Sequence, residues 1–254
     1  MRVGVRNPAP VQYVTGRPLD YPSVSDDPSV AIEQVRQRYD RCALCHLSEN
    51  RTYIVFFRGN PYSPVVCVGE GPGRSEDLNG RPFIGRSGRL QNALFKESGI
   101  DPEQHIGWIN LVGCRPCNTR FDKDRPPTIL EKAACSERTL MMLHALRPRI
   151  VLVLGKEASG AFFDTPPHPN TWHTFAHPDH PEDWVAVGYV RHPAGLVRMI
   201  PAKHNYKEYA AAGLFYGGLA EWMRRGDLTK VSRWRFGLRY MQKITQPVVG
   251  GGPV

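Results

Sequence analysis

The sequence predicts an α/β protein of three layers, α/β/α, around a central parallel-rich sheet of four to five strands. Three observations carry that expectation. From Thr52 to Arg224, short apolar stretches alternate with stretches of helical period. The run Ile150–Leu154 (IVLVL) is apolar at every position, as a strand buried on both faces requires. The 254 residues, 41% hydrophobic and 22% charged, suffice for one α/β domain with extensions.

The elements follow in order. Residues 1–28 are rich in Pro, Ser and Asp without periodicity and read as an arm. A short helix is expected over Ala31–Arg41, with Asp27 and Ser29 as capping candidates. Thr52–Arg58 (TYIVFFR) and Pro64–Val68 (PVVCV) read as strands on either side of the turn Gly59-Asn60-Pro61. A glycine-rich loop comes next, then a helix around Gly88–Ser98, a strand Ile106–Val112 and a helix Ile129–Leu146. Strand Ile150–Leu154, helix Ala158–Phe163, strand Val185–Val190 and helix Tyr206–Arg224 complete the body. Between the last helix–strand pair, His168, His173, His177 and His180 lie among prolines, a composition that reads as a surface loop. The expected division is an arm over 1–41, a domain over 42–224 and a basic extension over 225–254. Parallel sheets present ligands beyond the carboxyl ends of their strands, so the loops after Val68, Val112, Leu154 and Val190 should converge.

Charge is unevenly distributed. The formal net charge is +9, from 33 Lys and Arg against 24 Asp and Glu. Residues 1–40 are balanced, whereas residues 224–254 hold seven basic side chains against Asp227 alone. Such a segment attracts polyanions by releasing their condensed counterions. Leu228, Val231, Trp234, Leu238 and Met241 recur at three- and four-residue steps, so this tail is expected to form an amphipathic helix with its basic face outward. Every apolar run is shorter than the ~18 residues of a membrane span, which excludes an integral helical membrane protein. The opening residues carry no apolar segment, so a reducing, cytoplasmic setting is expected.

Six cysteines then need a chemical reason other than disulfides. Cys42 and Cys45 form a CxxC pair, whose spacing lets two thiolates reach one metal centre across a tight turn. Cys114, Cys117 and Cys135 supply further ligands at a distance in sequence. Four thiolates suit tetrahedral zinc or a [4Fe–4S] cluster, and spacing does not separate the two. Cys67, inside PVVCV, is expected to pack. The loop Gly69–Gly88 (GEGPGRSEDLNGRPFIGRSG) follows a strand; its glycines let backbone approach a ligand, and Glu70, Glu76 and Asp77 supply carboxylates. It lacks the GK[ST] of a phosphate-binding Walker loop and the GxGxxG spacing of a dinucleotide site. Phe83, set beside that backbone, offers a flat surface to a base or sugar.

This loop closely resembles the first motif of family 4 uracil-DNA glycosylases, the iron–sulfur branch of the uracil-DNA glycosylase superfamily. Three further segments agree in order. Trp108–Pro116 (WINLVGCRP) is similar to the family's strand bearing a base-reading asparagine and a cluster cysteine. Arg147–Gly155 is similar to its central strand, and Arg191–Arg198 (RHPAGLVR) to its second catalytic motif. The resemblance implies a uracil-DNA glycosylase-like fold and a monofunctional enzyme that hydrolyses the N-glycosidic bond of deoxyuridine in DNA, the opening step of base excision repair. It implies single- or double-stranded uracil-containing DNA as partner, and an intracellular, nucleoid-associated monomer. On that basis Phe83 would stack on a flipped uracil, Asn110 would read its N3 and O4, His192 would donate to O2, and Gly71 would add a backbone N–H. Glu70 and Glu76 are the carboxylates tied to catalysis. Cys42, Cys45, Cys114 and Cys135 would hold a [4Fe–4S] cluster, zinc being the alternative and Cys117 the substitute for Cys114.

The chain departs from the pattern at several points. Gly71 stands where other branches of the superfamily carry a water-activating acid. Cys117 is additional, and 20 residues separate Cys114 from Cys135, a long interval for the family. The Lys-Arg-Arg-Ile-His insertion of a covalently reacting branch is missing. These departures keep two alternatives in view: a DNA-binding member of the superfamily with weak or no glycosylase activity, and an enzyme for another damaged or modified base.

Overall fold

The computed structural model describes residues 11–12, 24–119, 121–177, 180–193, 195, 205–225 and 228–230. The expected tail helix beyond 230, most of the arm and the later part of the Arg191–Arg198 motif lie outside the described residues. Among the described residues the sheet has seven strands in the order β1-β6-β7-β5-β3-β4-β2. They are β1 Val11–Gln12, β2 Arg58–Gly59, β3 Val65–Gly69, β4 Gly107–Asn110, β5 Ile150–Leu154, β6 Thr171–His177 and β7 His180–Val190. The four central strands β4, β3, β5 and β7 are mutually parallel. The four- to five-strand expectation describes this centre; the sheet continues at both edges, through antiparallel β2 and through β6, which is antiparallel to β7 and pairs with β1.

Helices cover both faces. They are α1 Pro28–Tyr39, α2 Leu47–Asn50, α3 Arg74–Asn79, α4 Arg86–Glu97, α5 Ile129–Leu146, α6 Lys156–Ser159 and α7 Asn205–Arg224. Side chains alternate across a strand, so β3 sends Val66 and Val68 to one face and Val65 and Cys67 to the other. The first face packs on α1 and α5 through Val35, Tyr39, Leu140 and Leu143. The second packs on α4 and α7 through Leu94, Phe95, Phe215 and Tyr216. On α7 the buried positions Ala212, Phe215, Tyr216, Leu219 and Ala220 fall at three- and four-residue steps, one apolar stripe. Helix α5 starts where a capping box forms: the Thr128 side chain accepts from the Glu131 N–H while the Glu131 carboxylate accepts from the Thr128 N–H.

Three local expectations are corrected. Residues 52–57 are irregular, because their backbone groups are engaged outside the sheet: Thr52 N–H donates to the Asp77 carboxylate (2.9 Å) and Val55 N–H to the Gly113 carbonyl (2.8 Å). The helix expected over Ala158–Phe163 is the single turn α6, earlier by two residues. The proline- and histidine-rich stretch expected as a loop is the β6–β7 hairpin. Its TWHTFAH alternation places His173 and Phe175 against Phe163 while Trp172 stacks on Phe215, 4.4 Å between centroids.

Candidate active site at the carboxyl ends of the parallel strands

Strand β3 ends at Gly69, which pairs across the sheet with Asn110 at the end of β4. A Cβ on Gly69 would strike both the Asn110 Oδ1 and the edge of the Phe83 ring, so the missing side chain is what lets the amide and the aromatic ring meet. Asn110 is buried, and among the described residues its carboxamide has no hydrogen-bond partner, leaving both donor and acceptor available. Phe83 sits at φ 57°, in the left-handed region that a bulky side chain enters only when its surroundings impose it. The imposing group is Arg58, whose Nη1 donates to the carbonyls of Pro82 (3.1 Å) and Phe83 (2.6 Å). The Phe83 carbonyl also nests on Gly88, where any Cβ would collide with it. The Phe83 ring leans on Trp108, 4.9 Å between centroids, and the Arg58 guanidinium lies over the same indole at 4.5 Å.

The two candidate carboxylates have different surroundings. Glu76, on α3, is buried and its Oε1 accepts from the Gly85 N–H at 2.6 Å, tying α3 to the start of α4. Glu70 directly follows Gly69, and its Oε1 is occluded without a hydrogen-bond partner. Burial pushes its carboxyl up to about 7, with the negative charge of Glu157 adding to the rise and the Lys132 ammonium opposing it. Lys132 on α5 is itself held by Glu157 at 2.7 Å. Gly71 passes so close to the loop after β4 that a Cβ would stand 2.7 Å from Val112 Cγ2 and 3.1 Å from Pro116 Cγ.

His192 follows β7 and is half-buried. It packs on Gly155 at the end of β5, where a Cβ would stand 2.8 Å from that of His192. The Gly155 N–H donates to the Val190 carbonyl (2.9 Å), locking the two strand ends together. In the order β7-β5-β3-β4, His192 follows β7, Gly155 follows β5, Gly69 ends β3 and Asn110 ends β4, so all four lie at the same end of the parallel strands.

The cysteines divide into two groups. Burial pushes the Cys114 thiol up to about 11, opposed by Arg51 and Arg138 and reinforced by Cys135. Burial likewise raises Cys45, which also feels Cys135, Glu131 and Cys42. Burial raises the Cys117 thiol, with Arg115 and Arg125 opposing the rise and Asp77 and Asp124 adding to it. Its Sγ donates to the Arg115 carbonyl, 3.6 Å away. Cys45 is thus linked electrostatically to Cys42 and Cys135, and Cys114 to Cys135. Among the described residues no three His, Cys, Asp or Glu side chains are closed around a single metal position. The donor chemistry of the four neighbouring thiols, all free and all sulfur, nonetheless fits a thiolate-bound centre.

Residues 56–212, more than half of the chain, match the description "Uracil DNA glycosylase superfamily". The chain belongs to that superfamily. Relatives include the type-4 uracil-DNA glycosylase of Thermotoga maritima, 41% identical over 133 residues, covering 52% of this chain and 66% of the relative. Proteins of the same name from Archaeoglobus fulgidus and Sulfurisphaera tokodaii are 32% and 33% identical, covering 53% and 52% of this chain and 64% and 58% of their own. The matches thus take in about half of this chain and less than two thirds of each relative.

Within the superfamily domain, Arg58 was not anticipated as a functional residue. A cation closing the apolar run TYIVFFR is its sequence signal, though that signal does not say which loop it clamps. Cys67 packs inside β3, fully buried. Of the histidines in the hairpin region, His168 bonds the Pro169 carbonyl, His173 faces Thr171 and His180 pairs with Glu182.

Proposed function

We propose that the chain is a uracil-DNA glycosylase, cleaving the N-glycosidic bond of deoxyuridine in DNA to leave an abasic site. The observation that carries this reading is the meeting of the Phe83 ring and the uncommitted Asn110 amide over Gly69, with His192 at the same end of the parallel strands, after β7. A flipped uracil stacks on Phe83 and exchanges hydrogen bonds with Asn110 through N3–H and O4; cytosine presents the reversed pattern and is disfavoured. As the C1′–N1 bond breaks, its electron pair moves onto uracil, and His192 together with the Gly71 N–H stabilises the charge that accumulates at O2. Water adds to C1′ and gives up a proton. Of the two carboxylates, Glu70 is suited to that water, because its Oε1 is unsatisfied and its carboxyl titrates near neutrality. Glu76 is occupied with the Gly85 N–H and serves the loop's shape.

Cys42, Cys45, Cys114 and Cys135 would hold a [4Fe–4S] cluster, which supplies a covalent tie between the start of the domain, the loop after β4 and α5; zinc is the alternative. DNA, single- or double-stranded, is the partner. The test is abasic-site formation in oligonucleotides carrying U, T, hypoxanthine or xanthine. Uracil release is expected, with Asn110→Ala and His192→Ala each losing roughly 10²-fold or more in kcat. Salt-sensitive DNA binding without base release refutes the enzymatic reading, and release of another base in preference to uracil refutes the specificity.

A further inference from the structure

Arg138, on α5, is 2% exposed, and among the described residues no carboxylate pairs with it. Its Nη2 donates to the carbonyls of Asn110 (2.7 Å) and Leu111 (3.2 Å) and to Thr139 Oγ1 (3.3 Å). Its Nε and Nη1 are buried without any hydrogen-bond partner. A guanidinium so placed bears both an uncompensated charge and unsatisfied N–H groups, a combination that interiors retain only where something answers it. The guanidinium lies against Gly113, where a Cβ would stand 3.2 Å from Nε and 3.3 Å from Cζ. Gly113 leads directly into Cys114, and Cys135 is one turn before Arg138 on the same helix.

We propose that Arg138 is a positioning residue joining the sulfur-bound centre to the base-reading amide. Its unpartnered N–H groups and its charge answer the centre held by Cys114 and Cys135, while Nη2 fixes the end of β4 that carries Asn110. Four thiolates leave an iron–sulfur centre net negative, and N–H donors to its sulfurs stabilise it. The same guanidinium grips, through Nη2 alone, the consecutive carbonyls of Asn110 and Leu111 at the base-reading position. This rests on the glycosylase reading for the role of Asn110 but not for the role of the cysteines.

The experiment uses anaerobically purified full-length protein and the variants Arg138→Met and Arg138→Lys. Three quantities are followed: absorbance near ~400 nm with iron and sulfide content, the rate at which a chelator bleaches it, and affinity for free uracil. Arg138→Met removes charge and donors, so bleaching should accelerate roughly tenfold and uracil affinity should fall by a similar factor. Arg138→Lys keeps the charge but loses the fork. It should bleach within about threefold of the parent while still losing roughly tenfold in uracil affinity.

A parent without iron–sulfur absorbance, or an Arg138→Met protein that bleaches at the parental rate, overturns the proposal. If Arg138→Met does not fold, Arg138→Lys decides: parental uracil affinity overturns the coupling, and weakened affinity with a retained cluster supports it. A parent that releases no uracil defeats the functional reading alone, because the bleaching comparison still stands.

Discussion

Glu70 and Gly69, adjacent in the chain, do opposite things. Glu70 carries a carboxyl held up at about 7 against its ordinary 4.5, by burial first and by Glu157 second. The folded protein therefore keeps a proton that the unfolded chain has already released, and between those two values stability falls as pH rises. Glu70→Gln should flatten that slope; urea denaturation on either side of the window, below pH ~4.5 and above pH ~7, measures it. With ionised Glu70 activating water, kcat/KM should climb through about pH 7. Glu157→Gln should move that limb to lower pH, since a neighbouring negative charge is gone; a limb that stays in place removes Glu157 from the account. Gly69 works by having no side chain. Gly69→Ala puts a methyl where the Phe83 ring and the Asn110 Oδ1 already meet, so base release should fall by at least ~10²-fold. An Ala variant with parental kcat/KM would show that the two groups do not form one pocket.

Among the elements, legibility followed local physics. Strand β5 and helix α5 lie at the residues read from the sequence, because an all-apolar run and a long stretch of helical period are local signals of high contrast, and the structure adds the capping box that starts α5. Thr128→Ala should cost about 1 kcal/mol of stability, seen as a lowered denaturation midpoint with an unchanged slope. The β6–β7 hairpin was illegible for a tertiary reason. Its prolines and histidines look like a loop, and only the aromatic partners on each face, Phe163 on one and Phe215 on the other, make its alternation an element. The stretch 52–57 erred in the opposite direction: a strand-like composition is held off the sheet by side-chain and loop hydrogen bonds.

Across the whole molecule, the four neighbouring thiols come from the CxxC turn, the loop after β4 and α5, segments far apart in sequence. Removing the centre proposed for these thiols should therefore loosen one corner of the molecule. Hydrogen exchange should accelerate over residues 42–51 and 114–128 while the amides of β3 and β5 keep their protection. Uniform loss of protection would instead make the centre a global requirement for folding. Residue chemistry and short-range periodicity were sufficient to reveal the layered α/β class and to mark Glu70, Phe83 and the cysteines as candidates, since these are written in neighbouring side chains, whereas Asn110 and His192 became candidates through the resemblance to family 4 uracil-DNA glycosylases. Three features depended on packing between distant segments. Glu70 stands unsatisfied while Glu76 is occupied; Cys114 feels the charge of Cys135 while the Cys117 thiol donates to the Arg115 carbonyl; and the buried cations Arg58 and Arg138 grip the backbone of Phe83 and Asn110. Burial, electrostatic neighbourhood and hydrogen-bond commitment are properties of assembled surfaces, and no stretch of chain carries them alone.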